Sequence, residues 1–294
     1  MSYANLGWLF YKDYFKGLNF ENLESSQNLI KSKIDELLNE QITPNSTTLG
    51  NKHFKATTTY PGLLVGSGYL HQLSVEEELI IGFDFDYTTG LPIIRGSSVK
   101  GVLRSAFENP EYIQEILKKG NVNIKSLELE IFGQENSNND KISGKDVFFD
   151  AEIISSGKIL ADDYITPHKE ITKNPIPLRF IKVAPNVTFR FDFLLTDGLI
   201  SKDEKLELFK TILGDLGVGA KTNVGYGKFY IPVTKSDNPI ENYKKPSQEL
   251  FKKLKELNLS DEKKKEYLKI FQKRFENEDK NGKWIKKITN LLMN

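Results

Sequence analysis

From Val187 to Leu195 every second residue is large and apolar: Val187, Phe189, Phe191, Phe193 and Leu195. Side chains of a strand alternate between two faces, so this run predicts a strand. The same period recurs over 53–60, with Phe54, Ala56, Thr58 and Tyr60 set against Lys55, Thr57 and Thr59. Over 79–88, Ile81, Phe83, Phe85 and Tyr87 face one way and Gly82, Asp84 and Asp86 the other, again a strand pattern. Further strands are predicted over 146–154, 178–183 and 228–233.

Helical spacing interrupts these runs. Leu29, Ile30, Ile34, Leu37 and Leu38 form one face of a helix over about 24–40. Val99, Val102, Leu103, Ala106 and Phe107 give an i, i+3, i+4, i+7, i+8 stripe over 97–108, the mark of an amphipathic helix. A third helix spans about 202–216, with Ser201 and Glu204 as a capping box and Gly217 at its end. The polar stretches 43–51 and 135–145 read as loops. The central order is strand, helix, strand, strand, helix, strand with insertions. That order predicts an α+β fold of the ferredoxin-like, split βαβ kind, which is also the RRM-like arrangement. Residues 1–52 read as a helical segment packed on a main domain of 53–238. After Pro239, Lys, Glu, Leu and Asn dominate with helical stripes, so 239–294 reads as a lysine-rich helical extension.

Composition narrows the setting. Of 294 residues, 38% are hydrophobic and 28% charged, enough for a packed core and against wholesale disorder. There is no cysteine, which removes disulfides and cysteine-ligated zinc and fits a reducing cytosol. No two of His53, His71 and His168 share a metal-ligand spacing such as H-x-x-x-H. The first residues lack the basic start and apolar run of a signal peptide, and no apolar stretch nears the ~18 residues a membrane span needs. A cytoplasmic protein is expected, with no membrane, cofactor or metal. Net charge is +1, unevenly placed: the stretch from Glu241 to the end carries 15 Lys+Arg against 9 Asp+Glu, and the rest 26 against 31. Any nucleic-acid contact must therefore use local basic patches.

Two segments carry candidate chemistry. In the first, Arg95 precedes Gly-Ser-Ser and a predicted helix. Ser97 or Ser98 can cap this helix, whose first amides attract anions such as phosphate. Lys100 and Arg104 share the face opposite the apolar stripe, and Gly101 beside them would admit a close backbone or base. The plainer alternative is a capped surface helix with two solvated cations. The second segment runs Gly217-Val-Gly219-Ala-Lys221-Thr222-Asn223-Val-Gly225-Tyr226-Gly227, followed by Lys228. Its glycines leave amides open to form an anion nest, Lys221 adds charge, and Tyr226 could stack on a base. The loop is not a nucleotide-binding P-loop. Ala220 separates Gly219 from Lys221, and the loop follows a helix and leads to a strand, the reverse of the P-loop context.

The Gly-Ser-Ser-x-Lys-Gly-x-Leu-Arg helix start at 96–104, with the glycine-rich loop far downstream, resembles the RAMP superfamily of CRISPR proteins. Tyr11-Lys-Asp-Tyr-Phe15, Asp146-Val-Phe-Phe-Asp-Ala151, Asp163-Tyr-Ile-Thr-Pro-His168, Asn174-Pro-Ile-Pro177 and the run from Val183 to Phe191 add to it. Together they resemble the sixth-subunit family of Cmr (type III-B) complexes over roughly residues 5–233. The resemblance implies a ferredoxin-like RAMP fold in an RNA-guided antiviral ribonucleoprotein. The subunit would lie at the end holding the 3′ portion of the guide RNA, beside the backbone and small subunits, and would not be the nuclease. Its implied partners are guide and target RNA and other Cmr subunits.

Two other readings stand beside that one. Related RAMP proteins include endoribonucleases acting on guide precursor or target RNA, for which His53, His71 and His168 are candidate acids or bases. The pairs Asp84/Asp86 and Asp162/Asp163 are candidate Mg²⁺ ligands; Asp84 and Asp86 also fit the wet face of an alternating strand, and His168 a structural histidine bonded to a backbone carbonyl. A scaffold that meets RNA only indirectly is the third.

Overall fold

The computed structural model describes residues 5–66, 71, 73, 75, 78, 79, 82–119, 122–135, 141–166, 177–232, 240, 243, 245–257, 259, 261–276 and 282–293. Its main elements are α1 (Leu6–Tyr11), α2 (Gln27–Asn39), β1 (Lys52–Thr58), β2 (Ile93–Ile94), α3 (Gly96–Ala106), α4 (Pro110–Leu117), α5 (Ile124–Phe132), β3 (Val147–Phe148), β4 (Ala151–Ile153), β5 (Leu160–Ile165), β6 (Leu178–Val183), β7 (Thr188–Leu194), α6 (Lys202–Leu216), β8 (Phe229–Tyr230), α7 (Gln248–Glu256), α8 (Asp261–Arg274) and α9 (Lys283–Met293). Short two- and three-residue ribbons and single 3₁₀ turns lie between them.

The strands form an antiparallel sheet in the order β8-β1-β7-β4-β2, with β3 also pairing to β7. The alternating phenylalanines decide which face is packed. Phe191 lies opposite Phe54 with rings stacked at 5.1 Å, and Phe229 meets Phe191 edge-on at 5.7 Å. Phe193 packs on Phe209 of α6 at 5.5 Å, so α6 covers this face. Each such side chain, fully buried, contributes roughly 1.5–3 kcal/mol from water exclusion. The capping box that starts α6 is present: Ser201 accepts from the Glu204 amide, and Glu204 accepts from Ser201 N at 3.0 Å. A second, shorter ladder pairs β5 with β6 over six residues, Leu178 opposite Ile165 through Val183 opposite Leu160.

The other face of the central sheet is less exposed than alternation predicts. Arg190 and Asp192 point there, yet both are buried. The Arg190 guanidinium bonds Asp192 at 2.7 Å, Ser46 Oγ at 2.9 Å and the Thr47 carbonyl at 2.5 Å. The polar stretch around 43–51 thus lies over the sheet as a strap.

The strand expected over 79–88 is not found among the described residues 82–88, where only an isolated bridge joins Phe85 to Pro92. At the end of the segment local side-chain bonding turns the chain. Asp86 Oδ1 accepts from the amides of Thr88 and Thr89, and Tyr87 is left 99% exposed. Residues 146–154 form two short strands rather than one, and α1, α4 and α5 lie outside the predicted helices.

The chain divides into two compact units, Met1–Ile231 and Pro232–Asn294. The second is a helical unit with its own core of Leu250, Leu254, Tyr267, Phe271, Phe275, Ile288 and Leu292. Among the described residues no helix is long and apolar enough to cross a membrane.

Candidate RNA interface

The glycine-rich loop is built by close backbone packing. α6 stops at Gly217, whose amide still bonds the Leu213 carbonyl. Val218 N then bonds Gly227 O at 2.9 Å, closing the neck of the loop. Gly227 N reaches Gly62 O at 2.8 Å, and Ala220 N reaches Leu64 O at 3.0 Å. These bonds tie the loop to the segment after β1. Gly219 has φ +95°, and a Cβ there would lie 2.3 Å from Leu64 O, a contact that only glycine avoids. Gly225 also has positive φ, +97°, but an added Cβ would meet only Pro61 Cδ at 3.4 Å. One glycine is held by packing, and the other has room for a methyl group.

The tip between them projects outward. Lys221 takes the left-handed conformation at φ 60° and starts the 3₁₀ turn Thr222–Val224. Lys221 and Asn223 are exposed and Thr222 is half-buried. The amides of Lys221, Thr222 and Asn223 have no acceptor among the described residues, so this edge can receive an anion.

Two loop residues are placed differently from the sequence expectation. Tyr226 is turned inward, 8% exposed, packed with Leu64 and Phe180. Its hydroxyl donates to Asp163 Oδ2 at 2.7 Å. Burial first, then that bond, raises its pKa. A ring held this way is not available for stacking on a base. Lys228 Nζ bonds the carbonyls of Asp215 at 2.6 Å and Leu216 at 3.1 Å, so it serves the C-terminal end of α6.

An aromatic exposed beside the loop is Tyr60, 85% accessible. Its backbone is held on both sides: Thr59 N bonds Lys228 O at 3.0 Å, and Pro61 touches the Gly225 position. Sequence reasoning missed Tyr60 because it ends an alternating run and so reads as inward-facing. β1 stops at Thr58, and the alternation stops with it. The Pro at 61 was the available signal, since proline cannot donate to a ladder.

On α3, the helix begins at Gly96, one residue earlier than expected, and neither Ser97 nor Ser98 caps it. Gly96 is pressed against Phe148 O, where a Cβ would lie 2.3 Å away. Its amide donates to Asp150 Oδ1 at 2.6 Å, so the protein's own carboxylate meets the helix start. Ser97 and Ser98 fall within the first turn and face solvent. Arg95 is clamped by Asp84 through two bonds of 2.9 and 2.8 Å. Lys100 Nζ lies 6.0 Å from the Phe148 ring, and Arg104 reaches Glu128 at 3.3 Å with half its side chain exposed. Nothing lies within 4 Å of where a Gly101 Cβ would be.

The groups weighed for catalysis are mostly engaged. His71 is buried between Phe10 and Tyr14, its ring 4.0 Å from each, with Nε2 2.8 Å from Phe10 O. Burial lowers its pKa to about 4. His53 is exposed on β1, and His168 lies outside the described residues. Asp162 pairs with Arg179 at 2.8 Å. Asp163 pairs with Lys182 at 2.5 Å as well as Tyr226. Burial works to raise the Asp163 carboxyl, but the bonds from Lys182 and Tyr226 prevail and its pKa is lowered. Among the described residues no cluster of three His, Asp or Glu could hold a metal ion.

Comparison with known proteins adds the family. The sequence is 30% identical to the CRISPR system CMR subunit Cmr6 of Saccharolobus solfataricus across 60% of this chain and 56% of that protein. It is 29% identical to Cmr6 of Pyrococcus furiosus across 47% of this chain and 58% of that protein. The chain thus spans less than three fifths of the curated relatives it matches. Among solved structures, a chain in the cryo-EM structure of the type III-B Cmr-beta bound to cognate target RNA aligns with TM-score 0.47 and 25% identity, over 75% of this chain and 79% of that one. The crystal structure of Cmr6 from Pyrococcus furiosus aligns with TM-score 0.41 and 24% identity, over 62% and 97%. The model of the RAMP superfamily matches residues 55–230, which contain all but the first residues of the central sheet, with α3, α6 and the glycine-rich loop, and the chain belongs to that superfamily.

Proposed function

We propose that this chain is a non-catalytic guide-RNA-binding subunit of a type III-B CRISPR (Cmr) effector complex, acting in antiviral defence. In that assembly it caps the end holding the 3′ portion of the guide, beside backbone and small subunits, with target RNA paired to the guide. The similarity to proteins named Cmr6 supports the assembly. The observation that carries the RNA contact is the tip of the glycine-rich loop. There the amides of Lys221, Thr222 and Asn223 are unbonded, and the segment that carries the exposed Tyr60 is bonded to the end of the same loop through Thr59 N and Lys228 O. Amides and an ammonium suit a phosphate, and an exposed aromatic suits a base.

The strand order supports the finer fold. β1, β4, β7 and β8 are the four strands of a βαββαβ unit, with α3 after the first and α6 after the third. β1 lies between β8 and β7, as a split βαβ requires. In this reading residues 53–238 are the RAMP domain, 1–52 packs on it, and 239–294 is an extension. The engagement of His71, Asp84, Asp162 and Asp163 in structural bonds favours binding over ribonuclease chemistry.

The test is a salt series of filter-binding titrations with guide RNA. Lys221→Gln combined with Tyr60→Ala is expected to weaken binding and to lower the salt slope by about 1, one phosphate contact, without loss of fold. Lys100→Ala with Arg104→Ala, run alongside, reports whether α3 belongs to the same path. Unchanged affinity and slope in the Lys221/Tyr60 variant would overturn the loop assignment.

A further inference from the structure

The unit Pro232–Asn294 lies beyond the residues matched by the family model. Its charge is distributed unlike that of the first unit. In Met1–Ile231 several lysines are tied to carboxylates, as Lys182 is to Asp163, Lys205 to Asp146 and Lys210 to Glu207. In the C-terminal helices, Lys255, Lys283, Lys286 and Lys287 have no ion-pair partner among the described residues, and all four are exposed. α9 reads Lys-Trp-Ile-Lys-Lys-Ile-Thr-Asn-Leu-Leu-Met, with three lysines and no acidic residue. Lys283 and Lys287 stand one turn apart, an unfavourable like-charge spacing that nothing on the helix offsets.

An aromatic sits among these charges. Trp284 is half-buried, with Lys283 Nζ 5.5 Å and Lys287 Nζ 5.0 Å from its ring. Phe251 of α7 meets it at 6.0 Å, and Lys255 lies one turn along α7 from Phe251. Lys283 and Lys287 thus flank the indole, Lys255 stands one turn from the Phe251 ring that meets it, and Lys286 adds charge on the neighbouring side of α9. The apolar stripes of both helices are spent in the core, with Leu250, Leu254, Ile288 and Leu292 all buried. That leaves no broad apolar face for lipid, and the exposed chemistry is cationic with a half-buried aromatic at its edge.

We propose that this face of α7 and α9 is a second binding surface for single-stranded RNA, separate from the glycine-rich loop. Phosphates are held by Lys255, Lys283, Lys286 and Lys287, and a base is received by Trp284. Ammonium groups resting on the indole ring move to phosphates when the strand binds, and the ring they uncover stacks. The choice of RNA as the polyanion rests on the function proposed above.

The experiment uses the full chain with Trp8→Phe, so that Trp284 is the sole tryptophan. A single-stranded RNA oligonucleotide is added while indole emission and fluorescence anisotropy are followed across a salt series. Binding is expected to quench Trp284. Lys283→Gln/Lys286→Gln/Lys287→Gln is expected to keep its helix content by circular dichroism while the salt slope falls by about 2, the loss of three contacts on a single strand. The quench is expected to persist in Lys221→Gln/Tyr60→Ala, which separates this surface from the loop. If that loop variant binds as tightly as the parent while the triple lysine variant binds weakly, the loop assignment fails and this one stands. An unchanged slope in the triple lysine variant overturns the proposal. So does an equal quench by inorganic polyphosphate, which offers no base.

Discussion

Gly219 and Gly225 look alike in sequence, and the structure predicts that replacing them has unequal effects. Both have positive φ, so alanine at either is held in a left-handed conformation that costs about 1–2 kcal/mol. At Gly225 that is the whole cost, because the new methyl group meets only Pro61 Cδ at 3.4 Å. At Gly219 the methyl group would stand 2.3 Å from Leu64 O, the acceptor of the Ala220 amide. Either the loop or the segment after β1 must shift, and the bond that joins them weakens, adding roughly 1–3 kcal/mol. For a unit of this size each kcal/mol lowers the melting temperature by about 2–4 °C. Gly225→Ala is therefore expected to melt about 2–8 °C below the parent, and Gly219→Ala about twice as far or more. The assay pairs thermal melts with RNA titrations on the folded proteins. Gly225→Ala is expected to lose more RNA affinity than its small unfolded fraction explains, because its side chain sits beside the open amides at the tip. Equal melting temperatures would refute the packing argument. A stability defect in Gly225→Ala with parental RNA affinity would remove this edge from the interface.

Two further outcomes follow from buried groups. Tyr226→Phe removes only the bond to Asp163 and is expected to cost about 1 kcal/mol while leaving RNA affinity unchanged; a large affinity loss in a stable protein would return Tyr226 to the interface. His71 titrates near 4 in the fold against 6.5 unperturbed, so between those values the unfolded chain binds the extra proton. The stability this represents is fully present above about pH 6.5 and is lost as pH falls toward 4, by about 3 kcal/mol in all. Denaturant melts between pH 7 and 4 measure it, and His71→Gln should flatten the decline; an equally steep decline in the variant would assign it to other groups.

Much of the architecture was legible in the chain because it rests on local rules. Alternation marked β1 and β7, helical spacing marked α2 and α3, and the Ser201–Glu204 capping box with Gly217 marked α6. The motifs also pointed to the RAMP superfamily before any coordinates. Alternation failed over 82–88, where Asp86 draws the amides of Thr88 and Thr89 into a turn. It also failed to foresee the strap over Arg190, since which loop crosses a sheet depends on contacts more than 140 residues apart in sequence.

The candidate site divides in the same way. By itself the sequence determined that a glycine-rich loop with Lys221 follows a capped helix, because glycine, charge and capping chemistry act within a few residues. Only the tertiary structure decided which members of that loop face outward. Tyr226 and Lys228 are drawn inward by partners elsewhere in the chain, Asp163 on β5 and the carbonyls that end α6. Arg95 is bound by Asp84 and the start of α3 by Asp150, while Tyr60 is left exposed where β1 ends. The physical reason is that a polar side chain's availability to a ligand depends on whether the fold brings it a partner. Such partners lie 11 to 63 residues away along the chain here, beyond the reach of any local pattern.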